Sequence, residues 1–168
     1  MSTARNLQVK TVALYFEEDH FRVLAYPHMG ARLDNLDLYF GGRRFDWQIV
    51  SAAQVFHTFS TVFSAAEHLT LNNSRYDMSS EWDNHEADRI HWRKLLEPFG
   101  KVKNLSVYGG LVKQLSGALQ PGEEESQTEL LPELEKLSHS ARGASPNAFT
   151  QFVDTRQKAG KPVTVVHL

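Results

Sequence analysis

The densest group of side chains able to hold a metal or move a proton is Glu81-Trp82-Asp83-Asn84-His85-Glu86-Ala87-Asp88-Arg89-Ile90-His91-Trp92. His85-Glu86 invites comparison with the zinc signature His-Glu-x-x-His, in which two imidazoles four residues apart share one helix face and the glutamate serves as base. Here the second histidine comes six residues on, so the two rings fall on different faces of a helix. The segment reads better as a surface loop running into a helix start. The chain has no cysteine, which removes disulfides, thiolate metal sites and thiol nucleophiles together. Its eight histidines, with serines and aspartates, permit many triads on paper. None of the serines sits in a Gly-x-Ser-x-Gly elbow, the strand-to-helix turn that exposes a nucleophile. Phosphate-cradling glycine loops are absent too, and Gly41-Gly42 and Gly109-Gly110 read as turns. No catalytic residue, metal or cofactor is therefore expected. A small α/β hydrolase-like enzyme or small-ligand binder using His and Asp/Glu residues stays open as the alternative.

Another set of side chains suits the holding of a protein. Tyr39, His68, Asn72, Asn104, Tyr108 and Lys136 lie on or just beyond a motif that the chain repeats. The motif reads as an apolar residue, two positions, then apolar, x, apolar. It occurs as Phe99-Gly100-Lys101-Val102-Lys103-Asn104-Leu105-Ser106-Val107-Tyr108, from Phe63 to Asn72, from Leu131 to His139 and, more weakly, from Gly30 to Leu38. The central leucines, Leu36, Leu69, Leu105 and Leu137, recur at steps of 33, 36 and 32 residues. Each unit reads as a short strand, a helix and a loop, and cannot bury both its strand face and its helix face alone. Stacked units can. The expected fold is thus α/β: an irregular leucine-rich-repeat-like solenoid with parallel strands, helices on the outer face and an N-terminal β-hairpin. The six named residues would then line its concave face, where aromatic and polar side chains favour a protein partner.

The elements that must position them follow from pattern. Val9–Phe16 alternates with period two and is apolar on both faces; Glu17-Glu18-Asp19-His20 is a polar turn, and Phe21–Tyr26 is a second strand. Four connecting residues are too few for a parallel crossover, so the two strands should form a hairpin, a cap over residues 7–27. Units then start near 30, 63, 99 and 131, and a closing strand occupies 162–168. Asp46 is the expected N-cap of a helix from Trp47 to about Ser64, with Val55, Phe56, Phe59, Val62 and Phe63 on its apolar stripe. Residues 72–87 read as a long loop, followed by helices near 88–97 and 111–119. Ser145-Pro146 marks the start of a last helix, which stops at Gly160.

Composition bounds the rest. A chain of 168 residues with a hydrophobic fraction of 41%, a charged fraction of 23% and a net charge of −2 fits one globular domain. That charge argues against nucleic-acid binding, which needs a basic face. The polar start and the lack of any long apolar run argue against a signal peptide or a membrane span, and with the missing cysteines point to the cytoplasm or nucleus. The run Glu123-Glu124-Glu125 reads as a solvated loop. An exposed sheet edge would offer a route to a homodimer.

Several stretches resemble a known family. Ser51–Phe56 with Trp47, Thr61–Leu71, Ser79-Ser80-Glu81-Trp82, Glu129–Leu134, Ala148-Phe149 and Asp154–Thr164 are similar to the C-terminal region of basidiomycete proteins described as F-box-domain or leucine-rich-repeat-like proteins. The similarity is densest from Phe45 onward. In fuller members an F-box far upstream docks to a ubiquitin-ligase adaptor while repeats select a target. By this resemblance the sequence would start within the repeats, and no F-box-like helical segment is expected near its start. The resemblance implies a repeat fold and a protein-binding role, that of a substrate-receptor fragment, and carries no catalytic residue.

Overall fold

The computed structural model describes residues 8–27, 36–74, 85–120, 129–140 and 147–168. Among them the chain builds one mixed α/β layer pair on a single sheet. Its strands are β1 (Thr11–Phe16), β2 (His20–Tyr26), β3 (Leu36–Gly41), β4 (His68–Asn73), β5 (Asn104–Tyr108), β6 (Lys136–His139) and β7 (Thr164–His167), in the order β3-β2-β1-β4-β5-β6-β7. From β1 through β4, β5 and β6 to β7 every pairing is parallel. β2 and β3 extend the sheet antiparallel beyond β1. The short polar turn after Phe16 forces the first of those reversals, as expected from its length.

The parallel strands pair without any register shift. Val12, Leu69, Leu105, Leu137 and Val165 stand side by side across five strands. Three copies of the motif enter their strands through the same turn. The amides of Ala66, Val102 and Leu134 donate to the carbonyls of Phe63, Phe99 and Leu131 at 3.0, 3.3 and 3.0 Å. Two successive amides then donate to one carbonyl of the preceding strand: Glu67 and His68 to Lys10, Lys103 and Asn104 to Glu67, Glu135 and Lys136 to Lys103. The residues at this step, Lys10, Glu67, Lys103 and Glu135, alternate in charge. Lys10 Nζ reaches Glu67 Oε1 at 2.7 Å, and Lys10 first, with Lys103 helping, holds the Glu67 carboxyl below its ordinary value. Opposite charges on neighbouring strands favour this register over a slipped one.

The weak copy ending at Leu38 does not join this series. β3 runs antiparallel at the sheet's edge and pairs Leu36 with Ala25 of β2. The place beside β4 is taken by β1 instead, so Val12 rather than Leu36 is the neighbour of Leu69. A spacing pattern of apolar residues carries no strand direction, and Leu36 and Leu38 satisfy it equally in either sense.

Helices α1 (Phe45–Thr58), α2 (Ser60–Phe63), α3 (His85–Leu96), α4 (Val112–Leu119) and α5 (Thr150–Lys158) follow the strands. α1 packs on α3 and α3 on α4, and their buried sides join one face of the sheet in a single apolar cluster. Phe56, Phe63 and Phe99 form its aromatic centre, with Phe56 edge-on to Phe63 at 5.0 Å and to Phe99 at 4.8 Å. α1 begins two residues before Trp47, with Arg44 at the N-cap. Asp46 is not the cap; it accepts from the Trp47 amide at 2.8 Å and from the Arg44 guanidinium. The buried Gln48 amide fixes α1 to the strand turns by donating to the carbonyls of Glu17, His20 and Gly42 at 2.9, 3.2 and 2.6 Å. Gly109 ends β5 at φ +73°, and a Cβ there would lie 2.3 Å from the Asn73 carbonyl oxygen, so only glycine fits. The stretch read as a loop from 72 contributes Asn72 and Asn73 to β4, and its helix starts three residues earlier than expected. Ser145 and Pro146 lie outside the described residues.

Candidate functional site

Strand alternation splits the sheet into two faces. Leu14, Phe16, Phe21, Val23, Leu69, Leu71, Leu105, Val107 and Leu137 enter the apolar cluster. The residues between them form a second, polar face. The in-register pairing orders that face into three rows. The first is Tyr26, Thr11, His68, Asn104, Lys136 and Thr164. The second is Asp37, Leu24, Ala13, Thr70, Ser106, Ser138 and Val166. The third is Tyr39, Arg22, Tyr15, Asn72 and Tyr108.

All six residues singled out in the sequence lie on this face. His68, Asn104 and Lys136 are direct neighbours in the first row, and Asn72 and Tyr108 in the third. Tyr39 shares the third row although its strand is antiparallel, linked to Asn72 through Arg22 and Tyr15. Those two linking residues were not singled out. Their strand positions are alternate and polar or aromatic, but only the pairing of β1 with β4 brings them into the row. From Ala13 across Thr70 and Ser106 to Ser138 the middle row is small, and it lies between two rows of larger side chains.

Arg22 is a paired charge on the face. Its Nε and Nη2 donate to the two carboxylate oxygens of Asp37 at 2.9 and 2.7 Å, and the guanidinium carbon lies 4.9 Å from the Tyr39 ring centroid. The hydrogen bonds to Asp37 raise the Arg22 pKa, and those from Arg22 lower that of Asp37, so both stay charged. Arg22 thus props Tyr39, which is 59% exposed, in a defined position. An exposed tyrosine beside a paired guanidinium is the type of group that anchors protein contacts.

On the other side of the sheet His139 occupies a core position, in line with Leu14, Leu71 and Val107. It is 1% exposed, and neither ring nitrogen has a hydrogen-bond partner among the described residues. Phe149 and His167 pack edge-on against it at 5.3 and 4.6 Å. Burial, with the neighbouring His167 adding to it, holds the His139 pKa below 6.5. The unfolded chain then takes up this proton at higher pH than the folded one. Stability should be level above about pH 6.5 and decline as the pH falls below it, until His139 protonates in the folded state. Denaturant melts at stepped pH should show that decline, and His139→Leu should reduce it; an equal decline in the variant would assign the effect to other groups.

Among the described residues no three His, Asp or Glu side chains gather to hold a metal ion. Residues 81–84 of the acidic and histidine-containing segment, and the side chains of His85 to Asp88, lie outside the described residues. No described helix is long and apolar enough to cross a membrane. An open hollow of about 520 Å³ lies at the β3–α1 turn, lined by Gly42, Arg43, Arg44, Asp46, Trp47, Val50 and His91. It shares no residue with the polar face. No protein-family model matches the chain, and no curated protein or solved structure matches it.

Proposed function

We propose that this chain is a non-enzymatic protein-interaction module, an irregular leucine-rich-repeat-like solenoid that holds its partner on the polar face of the sheet. The observation that carries the reading is the third row, in which Tyr39, Arg22, Tyr15, Asn72 and Tyr108 align across five strands. Tyrosine and arginine are the residue types that dominate binding energy at protein interfaces. The solenoid reading draws on the repeated entry turns and the unshifted parallel register. The sequence resemblance suggests a substrate receptor related to F-box proteins as the setting.

Replacing Tyr39 and Tyr108 together with serine should weaken partner capture by about 2 kcal/mol, roughly thirtyfold, because two aromatic anchors are lost. The melting temperature should stay within about 2 °C, as both side chains are at least partly exposed. The check is affinity capture from a native extract with the unaltered chain and the double variant side by side, scored for enriched proteins and for a ubiquitin-ligase adaptor. Retention of every partner by the double variant would exclude the polar face. A large fall in melting temperature would make the tyrosines structural.

A further inference from the structure

We propose that the third row of the polar face binds a proline-rich segment in the polyproline II conformation, laid across the strands. This rests on the reading of that face as a protein-binding surface and names the kind of segment it holds. Tyr39, Tyr15 and Tyr108 stand on every second strand, β3, β1 and β5, with Arg22 and Asn72 on the strands between. Neighbouring strands lie about 4.8 Å apart, so the tyrosines recur at about 9.6 Å. A polyproline II helix rises about 3.1 Å per residue and turns once in three residues, so one of its edges repeats at about 9.3 Å. Over the two steps of the row the mismatch is about 0.6 Å. An α-helix comes nearest with seven residues, at about 10.5 Å per step, and overshoots the row by about 1.8 Å. A β-strand covers each step in three residues, but its alternation turns the middle contact away from the face.

The chemistry of the row agrees with its period. Tyr39 is 59% exposed and the other four residues are half-buried, so none of the three tyrosines is sealed from a partner. Proline packs well on an aromatic ring and brings no amide N–H that would be left unpaired there. The carbonyls of a polyproline II segment make no internal hydrogen bonds and need donors. The row carries donors between its rings. One is the Asn72 side-chain amide; the other is the Arg22 guanidinium, whose Nε and Nη2 bind Asp37 while Nη1 stands outside that fork. Charge selects the same partner. Arg22 is the one formal charge in the row and Asp37 balances it, so an uncharged segment matches the row and an acidic or basic one does not.

The test titrates the full chain, by calorimetry, with three capped, uncharged peptides: four repeats of Pro-Pro-Ala, two repeats of Pro-Pro-Ala, and four repeats of Gly-Ser-Ala. The long proline peptide should saturate with a dissociation constant of about 0.1 mM or tighter. The short one, which reaches two rings, and the Gly-Ser-Ala peptide should each bind at least roughly tenfold more weakly. Tyr15→Ser, at the middle of the row, should weaken the long peptide about tenfold. Tyr39→Ser, at the exposed end, should do the same and covers the case in which Tyr15→Ser fails to fold. No saturation by the long peptide, equal affinity for either control peptide, or indifference of the folded variants would overturn the proposal. Capture from a native extract separates this proposal from the broader reading. A partner lost from the Tyr39/Tyr108 double variant, yet not displaced by an excess of the long peptide, would keep the face as a protein-binding surface and overturn its preference for proline. Retention of every partner by the double variant, with no peptide bound, would overturn both.

Discussion

Phe99→Ala should lower the free energy of unfolding by about 4 kcal/mol and the melting temperature by roughly 10 °C. Phe99 heads one motif copy and is fully buried. Its ring lies 4.8 Å from Phe56 of α1 and 6.4 Å from Phe63, the head of the preceding copy. Truncation removes the transfer energy of the ring and also leaves a cavity that three elements would have to close. α1 is tied to the strand turns by Gln48, and the Phe99 backbone is tied to its own turn, so collapse into the space is limited. Phe99→Leu, which keeps most of the volume, should cost about 1.5 kcal/mol. Urea melts of the three proteins measure both values. A loss below about 1 kcal/mol for the alanine variant would mean that the unit heads do not carry the stacking between copies.

Arg156→Met should cost about 3 kcal/mol despite keeping much of the side chain's volume. The guanidinium is 5% exposed and donates to Glu129 Oε1 at 2.6 Å and to the carbonyls of Pro132 and Leu134 at 3.1 and 3.0 Å. It thereby fastens α5 to the entry turn of the last motif copy. That turn includes Leu131 at φ 50°, a left-handed conformation that costs a branched residue on the order of 1 kcal/mol. The turns headed by Phe63 and Phe99 have no such residue among the positive-φ positions. Arginine supplies the fork that keeps the strained turn closed, and methionine leaves two carbonyls without it. Glu129→Gln should matter less, below about 1 kcal/mol, because that carboxylate is 45% exposed. Burial alone would raise the Glu129 pKa, but Lys161 and Arg156 outweigh it and keep the group charged. Chemical denaturation of both variants checks the ranking, and an Arg156→Met loss no larger than that of Glu129→Gln would refute it.

The three strong motif copies could be read from the sequence because each places two buried side chains two residues apart after a buried head. Leu69 and Leu71, Leu105 and Val107, and Leu137 and His139 all point to the core. The last pair shows the limit of that pattern: His139 fills an apolar position, and nothing in its neighbours distinguishes it from a surface histidine. The sheet's order was less accessible. The pairing of Val12 with Leu69 joins residues far apart in the chain, and no local spacing encodes it. The six polar-face residues could be placed because they alternate with those leucines. Arg22 and Tyr15 could not be grouped with them, since their row exists only through the pairing of β1 with β2 and β4. Nor could the hollow, whose lining joins His91 of α3 to a turn more than forty positions earlier.

The alternating charges at the strand entries give the sheet a parity. Deleting residues 67–102 would bring Lys103 beside Lys10, and deleting residues 103–134 would bring Glu135 beside Glu67. Either single loss sets like charges on neighbouring strands, where they repel. Deleting residues 67–134 would instead bring Glu135 beside Lys10 and restore an attractive pair. Measured by these rungs, the sheet shortens or lengthens favourably by two units at a time and unfavourably by one. A chain that grew by copying its own segments would then keep a record of that even step in the sign of one side chain per strand.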